Sequence, residues 1–421
     1  MTRSTPTFDF RHFSVFLASA ALGWGALPAP AVAADACVQR PAEVAARMPT
    51  ATMLSGALPA DLAARLDAAA RASLQEASTP GLIVGVRTPA GTWTAAYGKA
   101  DPDKDTPMQV GMNTRVGSLT KTFVGTMIMQ LEETGKLSLD DRIEKYIPGV
   151  PNGGEISLRQ LANMTSGVAS YTRNSRFTDV YFRKPETIFK PEQLLAIGLA
   201  DSPSFAPGAR FDYSNTNTVL LGLVIEKVTK RPIAENLKLM VFEPLKLKST
   251  SWPSESADLP APYAQGFTLQ GDAKDGKPLN ATHWNPAWGW TAGELISNMD
   301  DLLVYGRAIG TGQGLLRPTS QVARLTSFPM PAGYGIAMGC SGGWVGHTGE
   351  LPGYNSTLFY DTQTDTTVAV QTNSDIASGN CKDEPLLPTN SRNAVCSSPA
   401  VRVFVALSTA LGRSFTPPPR G

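Results

Sequence analysis

The stretch Arg115-Val116-Gly117-Ser118-Leu119-Thr120-Lys121 decides how the rest of this chain reads. Ser118-Leu119-Thr120-Lys121 is the only S-x-x-K in the 421 residues. After it, Leu119, Phe123, Met127, Ile128 and Leu131 recur at helical spacing, and Gly135 closes the run. Residues three apart share a helix face, so the Ser118 hydroxyl and the Lys121 amine lie side by side. A serine beside an amine that can take its proton is one recipe for an acyl-transfer nucleophile. The helix N-terminus adds outward-facing N–H groups and partial positive charge, which suit a developing oxyanion. Taken alone the pattern is weak: about one or two S-x-x-K arise by chance in a chain of this length, most of them polar helix turns.

The downstream order gives the pattern weight. Tyr213-Ser214-Asn215 begins 95 residues after Ser118, and His347-Thr348-Gly349 begins 134 residues after Tyr213. Phe211-Asp212 leads into the second box, and Trp290-Thr291-Ala292-Gly293 precedes a segment ending in Asp300-Asp301-Leu302. The ordered set resembles the penicillin-recognising serine hydrolases, whose boxes are S-x-x-K, Y-x-N and [KH]-T-G. The resemblance extends over roughly residues 60 to 410. It implies Ser118 as nucleophile and Lys121 and Tyr213 as coupled proton carriers. Asn215 would bond Lys121 or the substrate amide. His347, Thr348 and Gly349 would line the cleft, with Gly349 leaving room for a substrate along the strand. The N–H groups of Ser118 and Glu350 would hold the oxyanion. No cofactor or metal is implied.

The substrate implied by the resemblance is a small peptide, ester, amide or β-lactam. Histidine in the third box is closer to the carboxypeptidase and esterase branches. The expectation is therefore a D-alanyl-D-alanine carboxypeptidase-like hydrolase. Esterase, amidase, D-aminopeptidase and class C-type β-lactamase are the alternatives, and a catalytically silent binding protein of the same fold is the alternative of another class. Two features oppose tight binding of an anionic peptide end. Residues 334–345 contain no arginine or lysine, and Glu350 adds an acid nearby. Arg173 is a candidate replacement cation.

Residues 1–33 read as a secretory leader: Arg3 and Arg11, then the apolar stretch from Phe13 to Leu27, then Ala31-Val32-Ala33 as a cleavage site. The stretch is shorter than the roughly 18 residues of a spanning helix. The mature chain, 34–421, is expected to be secreted or periplasmic, with no stable membrane span. Removing Arg3, Arg11 and Asp9 leaves 35 basic and 35 acidic residues, so no global basic field favours nucleic acid. Four cysteines in an exported chain suggest disulfides. Of the three connectivities, Cys340–Cys396 is expected, because Cys340 lies near the third box. The mature histidines, His283 and His347, have no metal-ligand spacing. Gly339-Cys340-Ser341-Gly342-Gly343 spells G-x-S-x-G, but no helix pattern follows it, as a nucleophile elbow needs.

Residues 62–74 carry a helical stripe, and 82–87 and 93–97 are β-rich runs around a turn at Pro89-Ala90-Gly91. Ser157 is placed to cap a helix over 158–163, and 219–230 reads as a second amphipathic helix. From about 291 the pattern returns to strands, with runs at 344–348, 354–360 and 366–371, and 400–411 reads as a closing helix. Strands at both ends with helices between them imply an α+β fold: an antiparallel sheet flanked by terminal helices. Its α/β part would cover about 58–118 and 291–415, with a helical insertion over about 119–290. Tyr171, Trp288 and Trp290 fit either an aromatic cleft wall or a core. Export from a bacterium should yield a product shortened by 33 residues and beginning at Ala34, which intact mass and N-terminal sequencing check.

Overall fold

Alternating side chains send each strand of the central sheet to two different cores. The computed structural model describes residues 36–382 and 384–417; the leader expected over residues 1–33 and the last prolines lie outside them. The strands are β1 (Gly81–Thr88), β2 (Gly91–Asp101), β3 (Thr106–Pro107), β4 (Gly339–Ser341), β5 (Trp344–Leu351), β6 (Tyr354–Asp361) and β7 (Thr366–Thr372). Their order is β3-β2-β1-β7-β6-β5-β4, and every pairing is antiparallel. The first and last parts of the chain meet where β1 pairs with β7, from Leu82 opposite Thr372 to Arg87 opposite Thr367.

The helices that matter here are α1 (Ala60–Glu76), α2 (Thr120–Glu133), α3 (Leu158–Ala162), α4 (Ser175–Arg183), α5 (Asn215–Thr229), α6 (Met299–Thr311), α7 (Pro318–Leu325) and α8 (Pro399–Ala410). Leu82, Val84, Val86, Val368 and Val370 pack with Leu66 and Ala70 of α1 and with Val403, Phe404 and Leu407 of α8. Ile83, Ala369, Leu358 and Val345 face the other core, with Leu302 and Leu303 of α6 and Phe123, Met127 and Ile128 of α2. α2 is thus buried against the sheet rather than laid on the surface.

The expected α+β architecture is the one observed, with a central antiparallel sheet and helices at both ends of the chain. The Ser157 cap is present: its hydroxyl accepts from Gln160 N, and Gln160 Oε1 accepts from Ser157 N. Three points differ from the sequence reading. Residues 299–325 form α6 and α7 before the strands resume. Asn298 caps α6 by accepting from Asp301 N at 3.1 Å, and left-handed Gly312 ends it. Second, α5 begins at Asn215, so Tyr213 lies immediately before its cap. Third, the disulfides are Cys37–Cys340 and Cys381–Cys396, not Cys340–Cys396. The segment before the first helix crosses to β4, a contact with no local sequence signature.

Tyr171, Trp288 and Trp290 belong to the core of the helical part. Tyr171 is fully buried, donates to Trp288 O at 2.6 Å and meets Phe177 edge-on. Trp290 packs against Gly222 of α5, where an added Cβ would sit 2.7 Å from its ring. Ser341 lies in β4 and donates to Thr416 O at 2.7 Å, so it is no nucleophile elbow. Among the described residues, no helix is long and apolar enough to cross a membrane. Replacing Cys37 and Cys340 together by alanine should lower unfolding stability by about 2–4 kcal/mol, read as an earlier denaturant midpoint with an intact Cys381–Cys396 bridge.

Candidate active site

Ser118 sits in the short turn Gly117–Leu119 that runs directly into α2. The turn is set from the far side of the chain. Val116 N donates to Leu295 O at 2.9 Å, and Leu295 N donates to Thr120 Oγ1 at 3.2 Å. These bonds bring residues 292–295 beside the first turn of α2, where Lys121 Nζ donates to Ala292 O at 2.7 Å. The same nitrogen lies 2.9 Å from Ser118 Oγ. Lys121 is completely buried, and burial pushes its pKa well below the usual lysine range. No carboxylate pairs with it among the described ion pairs. Its amine is therefore poised to accept the Ser118 proton.

Tyr213 is placed by the extended residues before α5. Its ring is partly open to the cleft but densely surrounded by protein. The Lys121 Nζ lies 4.9 Å from its ring centroid. Burial raises the phenol pKa far above its ordinary value, so it stays protonated at neutral pH. Behind it, Arg173 forks onto Asp212 at 2.9 and 3.0 Å and donates to Tyr213 O at 2.8 Å. The arginine that sequence offered as a carboxylate receptor is thus engaged in holding the Tyr213 segment.

Among the described hydrogen bonds, Asn215 makes none to Lys121. Its Nδ2 donates to Thr172 Oγ1 at 3.1 Å, and its backbone N–H donates to Ser170 Oγ at 3.1 Å. It ties α5 to the Ser170–Thr172 turn, and Lys121 bonds Ala292 O instead. Ala292 O carries no side-chain signal, which is why sequence missed it; only the flanking Thr291-Ala292-Gly293 hinted at the segment.

The third box lies on β5, whose 344–346 part pairs with β4 and whose 347–351 part continues past it. Gly349 has a reason different from substrate clearance. A Cβ there would sit 1.9 Å from Val116 O and 2.6 Å from Ser356 Oγ. Its lack of a side chain lets β5 close onto the backbone just before the nucleophile. Gly117 has the matching requirement. Its φ is +53°, and a Cβ would fall 2.4 Å from Glu350 N. The two glycines bring the Ser118 turn and the Glu350 N–H together, as a two-donor oxyanion site requires. The Glu350 side chain is exposed, and one oxygen accepts from Asn355 Nδ2 at 3.1 Å. Asn355 also donates to Gly349 O at 3.2 Å and accepts from Ala400 N at the start of α8.

His347 is 7% exposed, so it stands behind the cleft surface rather than on it. Nε2 lies 2.9 Å from Tyr334 Oη, and Nδ1 contacts Thr348 O. Burial first, then the nearby Lys121 charge, push its pKa down to about 3, against the opposing bond to Thr348 O. It is neutral at ordinary pH and supplies no cation to the cleft. Thr348 remains half-buried on β5.

The Beta-lactamase family profile matches residues 66–387. The chain belongs to the beta-lactamase family. That family is one of serine hydrolases with the penicillin-binding-protein type of fold. A D-stereospecific amidohydrolase from Streptomyces sp. is 31% identical, with a TM-score of 0.67, over 74% of this chain and 94% of that one. D-amino acid amidase from Ochrobactrum anthropi SV3 shares the fold at 22% identity, with a TM-score of 0.69, over 84% of this chain and all of that one. The Staphylococcus aureus (strain MW2) protein flp is 28% identical over 219 residues, which cover 49% of this chain and 40% of flp. This beta-lactamase-family chain thus matches less than half the length of that relative.

Lys121 must be unprotonated to take the Ser118 proton, so activity should fall as pH drops through its depressed pKa. Lys121→Arg, charged at every working pH, should slow ester acylation by about 10²–10⁴. Burst kinetics with an aryl ester read both effects.

Proposed function

We propose that this protein is an exported amidohydrolase that opens amide or ester bonds through an acyl-enzyme on Ser118. Neutral Lys121 takes the Ser118 proton as Oγ attacks the carbonyl carbon. The N–H groups of Ser118 and Glu350 hold the oxyanion. Tyr213, a protonated phenol, passes a proton to the departing nitrogen or oxygen and is reprotonated by the Lys121 ammonium, which holds the proton taken from Ser118. Water then attacks the ester by the reverse path and releases the acid. The Ser118–Lys121 contact of 2.9 Å, with a buried and uncompensated amine, is the observation that carries this reading. The two disulfides and the leader-like first residues support export.

The substrate class follows from charge. A carboxypeptidase must hold a terminal carboxylate beside the scissile bond. Here His347 is neutral, Arg173 is engaged by Asp212, and Arg324 is fully buried. Glu350 at the edge strand adds negative charge. Substrates ending in an uncharged amide or ester therefore fit better than the D-alanyl-D-alanine end that the H-T-G box implied. The neighbouring amidohydrolase and amidase support the same preference.

Turnover of D- and L-phenylalanine amide, an aryl ester, an acetylated peptide ending in D-Ala-D-Ala, and benzylpenicillin tests the reading, with Ser118→Ala alongside. Amide and ester should exceed the carboxylate peptide by about tenfold or more in kcat/KM, and Ser118→Ala should lose all of them. A preference for the D-Ala-D-Ala peptide would restore the carboxypeptidase reading. Full activity in Ser118→Ala would remove the nucleophile.

A further inference from the structure

Tyr334 is not part of any of the three boxes, yet it touches two of them. It stands in the turn before β4, closed by Gly335 N to Met338 O at 2.9 Å and Cys340 N to Gly333 O at 2.6 Å. Ala337 N donates to Ala162 O of α3 at 3.0 Å, and Cys340 is bridged to Cys37, so the turn is braced on two sides. The Tyr334 ring is 7% exposed and meets Tyr213 edge-on at 6.0 Å, His347 edge-on at 5.6 Å and Phe211 at 5.8 Å. Its hydroxyl lies 2.9 Å from His347 Nε2.

The partners of His347 determine where its single proton sits. Thr348 O can only accept, so Nδ1 carries the hydrogen. Nε2 then has a lone pair and accepts from the Tyr334 hydroxyl. The groups facing the ring are Tyr334, Tyr213 and Lys121, with the buried Arg324 guanidinium behind Tyr334. None carries a carboxylate, so only the Thr348 carbonyl favours an imidazolium, and burial outweighs it. Both ring nitrogens are occupied within the protein, and neither is left for substrate.

We propose that Tyr334 is a positioning residue: its hydroxyl, donated to Nε2, holds the His347 ring where Nδ1–H fastens the Thr348 carbonyl and so aligns the strand that presents Glu350 N–H to Ser118. The consequence for rate rests on the acyl-enzyme reading above; the tautomer does not. A misaligned oxyanion donor weakens transition-state binding more than ground-state binding, so kcat should respond and KM should not.

Nitrogen-15 histidine spectra of the mature protein test the first half. Only His283 and His347 contribute, and His283→Gln assigns them. Wild type should show His347 protonated at Nδ1, bare at Nε2, and unchanged from about pH 5 to 9. Tyr334→Phe keeps the ring and removes the hydroxyl. It should keep the Nδ1–H tautomer, which Thr348 O sets, and shift the His347 titration upward, since the bond to the neutral ring is lost. With an aryl ester, kcat should fall about tenfold while KM stays within about twofold. An Nε2–H tautomer in wild type would overturn the proposal without any variant. So would a Tyr334→Phe protein with the wild-type His347 titration or the wild-type kcat. Loss of Ser118 dependence, by contrast, would overturn the mechanism and leave the tautomer assignment standing.

Discussion

Burial of one amine is the constraint on which the site depends. Lys121 is enclosed completely, next to Ser118 Oγ, and no carboxylate is bonded to it. An ammonium ion in that place would be desolvated without compensation, so the neutral amine is favoured, and a neutral amine is a base. An acidic partner would restore the ammonium and end its use in proton transfer. The structure supplies a carbonyl, Ala292 O, which orients the nitrogen without adding a negative charge.

The surrounding architecture keeps that amine dry and aimed. α2 is inserted between sheet and helical part, so its first turn is inaccessible from behind. The chain around Leu295 is bonded to both Val116 and Thr120, which locks the nucleophile's turn to the segment carrying Ala292. On the other side, Gly117 and Gly349 allow β5 to approach the turn more closely than any side chain would permit. Asn355 and the start of α8 hold the Glu350 end of that strand. Catalytic geometry here is backbone against backbone, braced by polar side chains one layer out.

Much of this was legible because it is periodic or local. The stripe after Ser118, the alternation in 344–348 and 366–371, and the Ser157–Gln160 cap each state their structure within a few residues. Helix 299–311 was not read as a helix, although Asn298, Asp300 and Asp301 are ordinary N-terminal signals; the strand-rich text that follows overshadowed them. The pairing of Cys37 with Cys340 joins positions 303 residues apart, and no pattern encodes such a meeting. The bond from Asn215 to Thr172 was not legible, because the box names a residue type, whereas that contact depends on how the loop before α4 folds.

The sequence by itself determined the order of the boxes, the helix that carries Ser118 and Lys121, and the antiparallel α+β plan, because hydrophobic period and spacing are properties of the linear chain. Tertiary structure alone decided the state and the duties of those residues. Lys121 is a base only because the fold removes water and withholds an acid. Gly349 is needed because Val116 O approaches it, and His347 is neutral because burial, and then the nearby Lys121, outweigh the opposing bond to Thr348 O. Protonation and close approach depend on what is near in space, and a linear sequence does not list its neighbours.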